Sequence, residues 1–291
     1  MRKRLNVIGC GRVGQTLARL WFDKNQVTLQ DLHSRNMANA EKAARFLGAG
    51  SPVAHLADMR AAEVWMLSVP DSHIANVAQQ LADTLAPDAP PAIAFHCSGF
   101  LSAQALAPLQ AKGWQIASMH PVLNFAAPET GIRQFAGTPC ALEGSALAVD
   151  WLRMHLSAIG GVCFDIDSEH KALYHAAAVF CSNFTGVLQG IAQDAWHSAG
   201  VSPEMVQTLN RALLQSTTDN LLALGPAQAL TGPAARGDTA VVNAQTAVVA
   251  QWNPVAAQAY RALSELAVLL KQNGTTLPES GPDASASQGC G

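Results

Sequence analysis

Apolar positions along this chain follow two regimes. Up to about residue 165 they come as short runs of strand length separated by helical stretches, and from Ser168 to Lys271 they recur at helical spacing with few interruptions. Leu5 to Ile8 reads as a buried strand that breaks into glycines and continues as a helix through Gln15 to Phe22. Val27–His33 alternates like a strand and precedes a helix over Met37–Leu47. A fully apolar strand from Val64 stops at Pro70-Asp71, before a helix over Ser72–Leu85. Ala92–His96 ends at Cys97-Ser98-Gly99, and Trp114–Met119 ends at His120-Pro121. Thr138–Glu143 and Gly161–Phe164 read as two more strands around a helix over Ala146–Ala158. Strands alternating with helices predict an α/β fold, a doubly wound parallel sheet with right-handed crossovers.

The second regime is all helical. Ser168-Glu169 starts it with an N-cap and an early acid, and Gly200 to Pro203, Gly225-Pro226 and Thr231 to Pro233 mark helix boundaries. The expected division is a sheet domain over 1–166, a helical domain over 167–274 and a disordered tail over 275–291, which is rich in Ser, Gly, Pro and Ala.

Gly9, Gly11 and Gly14 stand where the first strand gives way to the first helix. Gly9 permits the tight turn, Gly11 lets a pyrophosphate approach the backbone, and Gly14 lets the helix lie close on the strand. In that context the spacing predicts a dinucleotide site over Gly9, Cys10, Gly11, Arg12, Val13 and Gly14. At the end of the next strand an acidic residue selects NAD, whereas an arginine accommodates the extra phosphate of NADP. Asp31 falls mid-strand and Ser34-Arg35 fall at the strand end, which favours NADP over NAD; alternatively, Arg35 only caps a surface turn. Ser68, Val69, Pro70 and Ser98 lie at carboxyl ends of later strands, where ligands of open α/β sheets bind.

Composition narrows the classes. Hydrophobic residues make up 49% and charged residues 13%, which suits a globular protein with extensive buried surface. A net charge of −3 gives no footprint for nucleic acid or an anionic membrane, so a small-molecule substrate is expected. Cys10, Cys97, Cys140, Cys163, Cys181 and Cys290 form no Cys-x-x-Cys pair, so neither a metal site nor a disulfide framework is expected; they read as reduced, mostly buried thiols. No export signal follows the basic start, and a cytoplasmic location is expected. Ala172–Ala192 lacks Asp, Glu, Lys and Arg, yet it contains several polar residues and has no aromatic belt, so it reads as a buried helix.

Lys171, His175, Ala178 and Ser182 fall at i, i+4, i+7 and i+11 and line one helix face. Facing the carboxyl edge of the sheet, Lys171 or His175 would supply a proton beside a nicotinamide ring; otherwise Lys171 snorkels to water and His175 is a satisfied interior imidazole. His96 and His120 each end a strand, where either acts as an acid, holds a substrate carboxylate or simply bonds its turn. Ser182, Asn183 and Arg236 are the candidate substrate contacts, although Arg236 equally belongs to a loop whose Asp238 caps the next helix.

These motifs, in order from Leu5 to Lys271, resemble the predicted NADP oxidoreductases that join a Rossmann-like domain to a helical domain of unknown function. That layout is similar to pyrroline-5-carboxylate reductase, ketopantoate reductase and the β-hydroxyacid dehydrogenases. In the latter two groups a lysine is followed four residues on by an asparagine; Lys171 matches, and His175 stands at the asparagine's position. The resemblance implies a homodimer whose helical domains pack together. It also implies an NADP-dependent oxidoreductase moving a hydride between nicotinamide and a small carbonyl or imine compound bearing a carboxylate. The rival is a non-catalytic NADP-binding regulator or scaffold, which needs Gly9 to Gly14 and Arg35 but no proton donor.

Overall fold

The structure is a computed structural model that describes residues 2–278; Cys290 and the tail from 279 onward lie outside the described residues. Contacts divide the chain into two compact units, one ending at Ser182 and one beginning at Asn183.

The first unit runs β1 (Lys3–Ile8), α1 (Arg12–Asp23), β2 (Val27–His33), α2 (Met37–Leu47), β3 (Ser51–Val53), β4 (Val64–Leu67), α3 (Asp71–Thr84), β5 (Ile93–His96), α4 (Ala107–Gln110), β6 (Gln115–Pro121), α5 (Pro128–Gln134), β7 (Pro139–Gly144), α6 (Ala146–Ser157) and β8 (Val162–Asp165), and then α7 (Lys171–Ala178). The strands form one sheet in the order β3-β2-β1-β4-β5-β6-β7-β8. Both faces are covered. Leu5, Val7, Val64, Met66, Phe95 and Met119 join Leu17, Trp21 and Trp151 in one core, while Ile8, Trp65, Leu67 and Ile116 join Ile74, Leu81 and Leu106 in the other. Alternate residues of one strand therefore feed opposite layers, which is why β4 is apolar throughout. Trp21 anchors the first layer, edge-on to Phe95 and Trp151 at 6.0 and 5.9 Å, with its indole N–H donated to the His155 carbonyl.

The sheet departs from the all-parallel expectation at one junction. β7 runs antiparallel to β6, with Pro121 opposite Cys140, and β8 is parallel to β7. The chain leaves β6 at its carboxyl end and enters β7 at the same edge, with Val122 N–H donating to the Pro139 carbonyl. A connection that stays on one edge returns antiparallel. Within it lies α5, which packs on α1 through Gly131, where a Cβ would stand 2.7 Å from Thr16 Oγ1. α5, β3 and the turn Ala103–Leu106 that leads into α4 are too short for periodicity to reveal.

The second unit comprises α8 (Phe184–Ser198), α9 (Pro203–Leu224), α10 (Pro226–Ala229), α11 (Thr239–Trp252) and α12 (Pro254–Asn273). Its boundaries follow capping chemistry: Ser202 accepts from Met205 N–H, Asp238 from Val241 N–H, and Asn253 from Val255 and Ala256 N–H. Tyr260 of α12 donates to Gln245 of α11 at 2.7 Å.

Two expectations need correction. Ala172–Ala192 is not a buried helix: none of its residues is buried, and Leu173, Phe180 and Val187 are 74%, 65% and 56% exposed. No helix among the described residues is long and apolar enough to cross a membrane. Of the cysteines, Cys10 and Cys140 are buried, Cys97 and Cys163 are half-buried and Cys181 is exposed.

Candidate active site

The strand order reverses at β1, between β2 and β4, and this switch point opens a cleft at the carboxyl edge. The turn after β1 is built for contact with β4. Gly9 has φ +96°, and a Cβ there would stand 2.6 Å from the Ser68 carbonyl group, whose residue donates its hydroxyl back to the Gly9 carbonyl at 2.5 Å. Gly14 touches the same turn: a Cβ would meet Ser68 Oγ and lie 2.6 Å from the Gly9 carbonyl oxygen. Gly11 differs in facing open space. It is the N-cap of α1 without a side-chain cap, and the first turn of α1 contains no acid. Unfilled amides, the positive helix end and a missing Cβ together make a cradle for an anion.

The cleft has a volume of about 790 Å³ and is lined by Gly9 to Gly11, His33 to Asn36, and Ser68 to Pro70, with His73 on the α3 side. The cap of α2 is Asn36, which accepts from Ala38 N–H at 2.9 Å, so Arg35 is not the capping residue and stands exposed at the cleft. Asp31 is turned away. It is buried and held by Arg60 through Nη2 at 2.6 Å and the backbone N–H at 2.7 Å, a commitment that removes the one acid on β2 from the cleft.

A second group of side chains gathers at the adjoining ends of β5 and β6. Lys171 is buried at the start of α7, where its ammonium donates to Ser118 Oγ at 2.7 Å and to the Ser98 carbonyl at 3.2 Å, with Glu143 Oε1 4.0 Å away. Glu143 is itself committed, accepting from Ala103 N–H at 2.6 Å and from the Ser168 hydroxyl at 2.7 Å. Burial pulls the Lys171 ammonium below the usual lysine range, against the opposing pull of Glu143 and Asp71. The Ser98 hydroxyl donates to Asp71 Oδ2 at 2.8 Å, which ties β5 to the first turn of α3.

Outside this buried knot sit His120, Tyr174 and His175. The Tyr174 hydroxyl and His120 Nδ1 are 2.9 Å apart, and the His120 and His175 rings meet edge to face at 5.7 Å. The two imidazoles crowd Gly99, where a Cβ would lie 2.5 Å from His175 Cδ2 and 2.8 Å from His120 Nε2. Burial first, then the nearby His175 and Lys171, pushes His120 down to about 4, and burial pushes the Tyr174 phenol up to about 12. Both are neutral near pH 7.

The sequence-selected residues thus separate. His96 is fully enclosed, accepts from Ser98 N–H at Nδ1 and lies 3.0 Å from the Ser102 carbonyl at Nε2, so both nitrogens hold the turn and burial pushes its pKa down to about 4. It shapes the loop rather than reaching a ligand. Ser182 pairs with Asn124 at 3.1 Å, within the π-helical stretch Val179–Asn183 that breaks the regular helical phase after Ala178. Asn183 is exposed at the first residue of the second unit, and Arg236 is exposed on the short turn before Asp238. Tyr174, Ser118, Glu143 and Asp71 were not selected from the sequence. Tyr174 lies three residues after Lys171 and shares its helix face, a spacing that could have found it; the other three reach the site only through the sheet.

Family comparisons divide the chain at the same place where the site is assembled. A model of Rossmann-like domains matches residues 1–121, and a model of a domain of unknown function (DUF2520) matches residues 138–267. The chain joins a Rossmann-like domain to a DUF2520 domain. The Rossmann-like part contributes Ser98, Ser118 and His120, and the DUF2520 part contributes Glu143, Lys171, Tyr174 and His175. No curated protein matches the chain. Among solved structures it is similar to the Bacteroides fragilis protein BF3122, provisionally named an NADP oxidoreductase, with 22% identity, a TM-score of 0.74, and coverage of 92% of this chain and 98% of that one. The Thermotoga maritima protein TM1727 gives 26% identity and a TM-score of 0.72 over 93% and 99% of the two chains. An imine reductase from Myxococcus stipitatus in complex with NADP+ gives 17% identity and a TM-score of 0.66 over 92% and 99%.

Proposed function

We propose that this Rossmann-DUF2520 chain is an NADP-dependent oxidoreductase acting on a small carbonyl or imine compound that carries a carboxylate. One observation carries the reading. The glycine cradle and Arg35 line a single cleft at the carboxyl edge of the sheet, and the proton-bearing side chains gather along that same edge, bridged by the Ser98–Asp71 hydrogen bond. Gly9 to Gly14 would hold the pyrophosphate, Ser34 and Arg35 the ribose phosphate, and Ser68 to Pro70 and Ser98 the far side of the dinucleotide. When bound, that dinucleotide supplies two-electron reducing power, and the chain's own residues manage the proton. His175 would donate it, His120 would offer a hydrogen bond to the reacting oxygen or nitrogen, and Lys171 would hold Ser98 and Ser118 in place beneath them.

The likeness to an NADP oxidoreductase and to an imine reductase supports this choice of chemistry. Ser182, Asn183 and Arg236 are proposed substrate contacts, with residues 1–166 as the dinucleotide-binding domain and 167–274 as the substrate and dimerisation domain. The exposed apolar residues on the helices of 167–274 support a homodimer, and a cytoplasmic location is proposed with it. The test is NADPH and NADH binding by fluorescence, followed by NADPH oxidation across a panel of keto acids and cyclic imines. Tight NADPH binding with turnover of at least one member is expected. Binding without turnover on any member favours the rival, a regulatory or scaffold protein.

A further inference from the structure

We propose that Tyr174 fixes His120 as the Nε2–H tautomer, so that a neutral imidazole offers a hydrogen-bond donor over Gly99 to the oxygen or nitrogen of the carbonyl or imine compound; this donor role rests on the function proposed above. The 2.9 Å contact between the Tyr174 hydroxyl and His120 Nδ1 admits two directions. A phenol is a better donor than a neutral imidazole N–H, and an unprotonated imidazole nitrogen is a better acceptor than a phenol oxygen. The strong donor therefore meets the strong acceptor. With Nδ1 occupied as an acceptor, a neutral ring carries its proton on Nε2.

The surroundings hold this arrangement. Tyr174 is braced edge-to-face against Phe164 at 6.1 Å and against the His120 ring at 5.6 Å. A doubly protonated His120 is opposed by its burial and by Lys171 and His175, with only the weaker influence of Asp71 in its favour. Lys171 does not compete for the ring, since its ammonium serves Ser118, Ser98 and Glu143. The Nε2 edge lies beside Gly99, 2.8 Å from where a Cβ of residue 99 would stand, so the absence of a side chain there is what lets the ring occupy this place. Tyr174 is thus a positioning residue that acts through His120, whereas the sequence alone pointed to Lys171, His175, His120 and His96 and not to Tyr174.

Long-range 1H–15N spectra of the full 15N-labelled chain test the assignment, with His120→Gln identifying the ring. At pH 7.5 the expected pattern is an unprotonated Nδ1 and a protonated Nε2, with Tyr174→Phe moving the ring toward a mixture of tautomers. An Nδ1–H ring or an imidazolium in the wild-type protein, or an unchanged pattern in Tyr174→Phe, overturns the proposal. Where a substrate is found, Tyr174→Phe should lower kcat about tenfold or more while leaving the affinity for NADPH unchanged; an unchanged kcat overturns the donor role. The expected spectra without turnover on any panel member would refute the oxidoreductase reading and leave the tautomer assignment supported.

Discussion

Replacing Lys171 with methionine keeps the buried stem and removes only the ammonium. In the structure that ammonium donates to Ser118 Oγ and the Ser98 carbonyl and stands 4.0 Å from Glu143, so its loss leaves a buried carboxylate without its cation. Breaking a buried ion pair from one side costs about 3–5 kcal/mol. Glu143 keeps two further hydrogen bonds, from Ala103 N–H and the Ser168 hydroxyl, which places the expected loss at the lower end, about 3 kcal/mol. Glu143→Gln in the same chain removes the stranded charge, and the pair should show a coupling energy of about 2 kcal/mol. Urea unfolding of the wild-type, the two single variants and the double variant, followed by tryptophan fluorescence, measures this cycle. Turnover should fall along with stability because Ser98 and Ser118 lose their tether. A Lys171→Met variant within about 1 kcal/mol of wild type, or strict additivity with Glu143→Gln, would refute the tethering role and return Lys171 to the role of a free acid.

Other expectations follow from the same geometry. Gly14→Ala presses a methyl group against the Gly9 carbonyl at 2.6 Å, a backbone neighbour that yields only with the turn, so NADPH affinity measured by fluorescence should fall at least about tenfold and stability by about 1–3 kcal/mol. Gly99→Ala would place a methyl group 2.5 Å from the His175 ring and 2.8 Å from the His120 ring, which must shift to admit it; turnover should drop, and unchanged turnover would count against the site. Arg35→Ala should weaken NADPH binding about tenfold or more and leave NADH binding nearly unchanged, as read by parallel titrations. His96 and His120 are both pushed down to about 4, so the unfolded chain binds more protons than the folded one as pH falls from about 6.5 to 4. Stability should therefore decline as pH falls through that window, and the fully enclosed His96 alone should account for about 3 kcal/mol by pH 4. His96→Gln should flatten the slope of Tm against pH, and an unchanged slope would show that His96 is not held neutral.

The longer strands and helices and the glycine turn were legible in the sequence because each depends on neighbours a few residues away. Val64–Leu67 announces a doubly covered strand by being apolar throughout, Gly9 and Gly14 announce a tight turn by their spacing, and Ser202 and Asp238 announce helix starts by their own capping chemistry, whereas the helix start at Asn253 was not read from the sequence. The antiparallel return of β7 was not legible, since it depends on which edge a connection of irregular structure occupies. The site divides the same way. Lys171 and His175 could be placed on one helix face by counting, but counting could not show that Ser118, Ser98 and Glu143 enclose the first while Gly99 and His120 border the second. Tyr174 was missed because a tyrosine among apolar residues reads as packing until its hydroxyl is seen 2.9 Å from an imidazole. Sequence determined which residues share a face or a turn, a matter of local periodicity. The tertiary structure decided which of them are buried and tethered and which border the open edge, because burial and hydrogen-bond partners come from strands far apart in the chain.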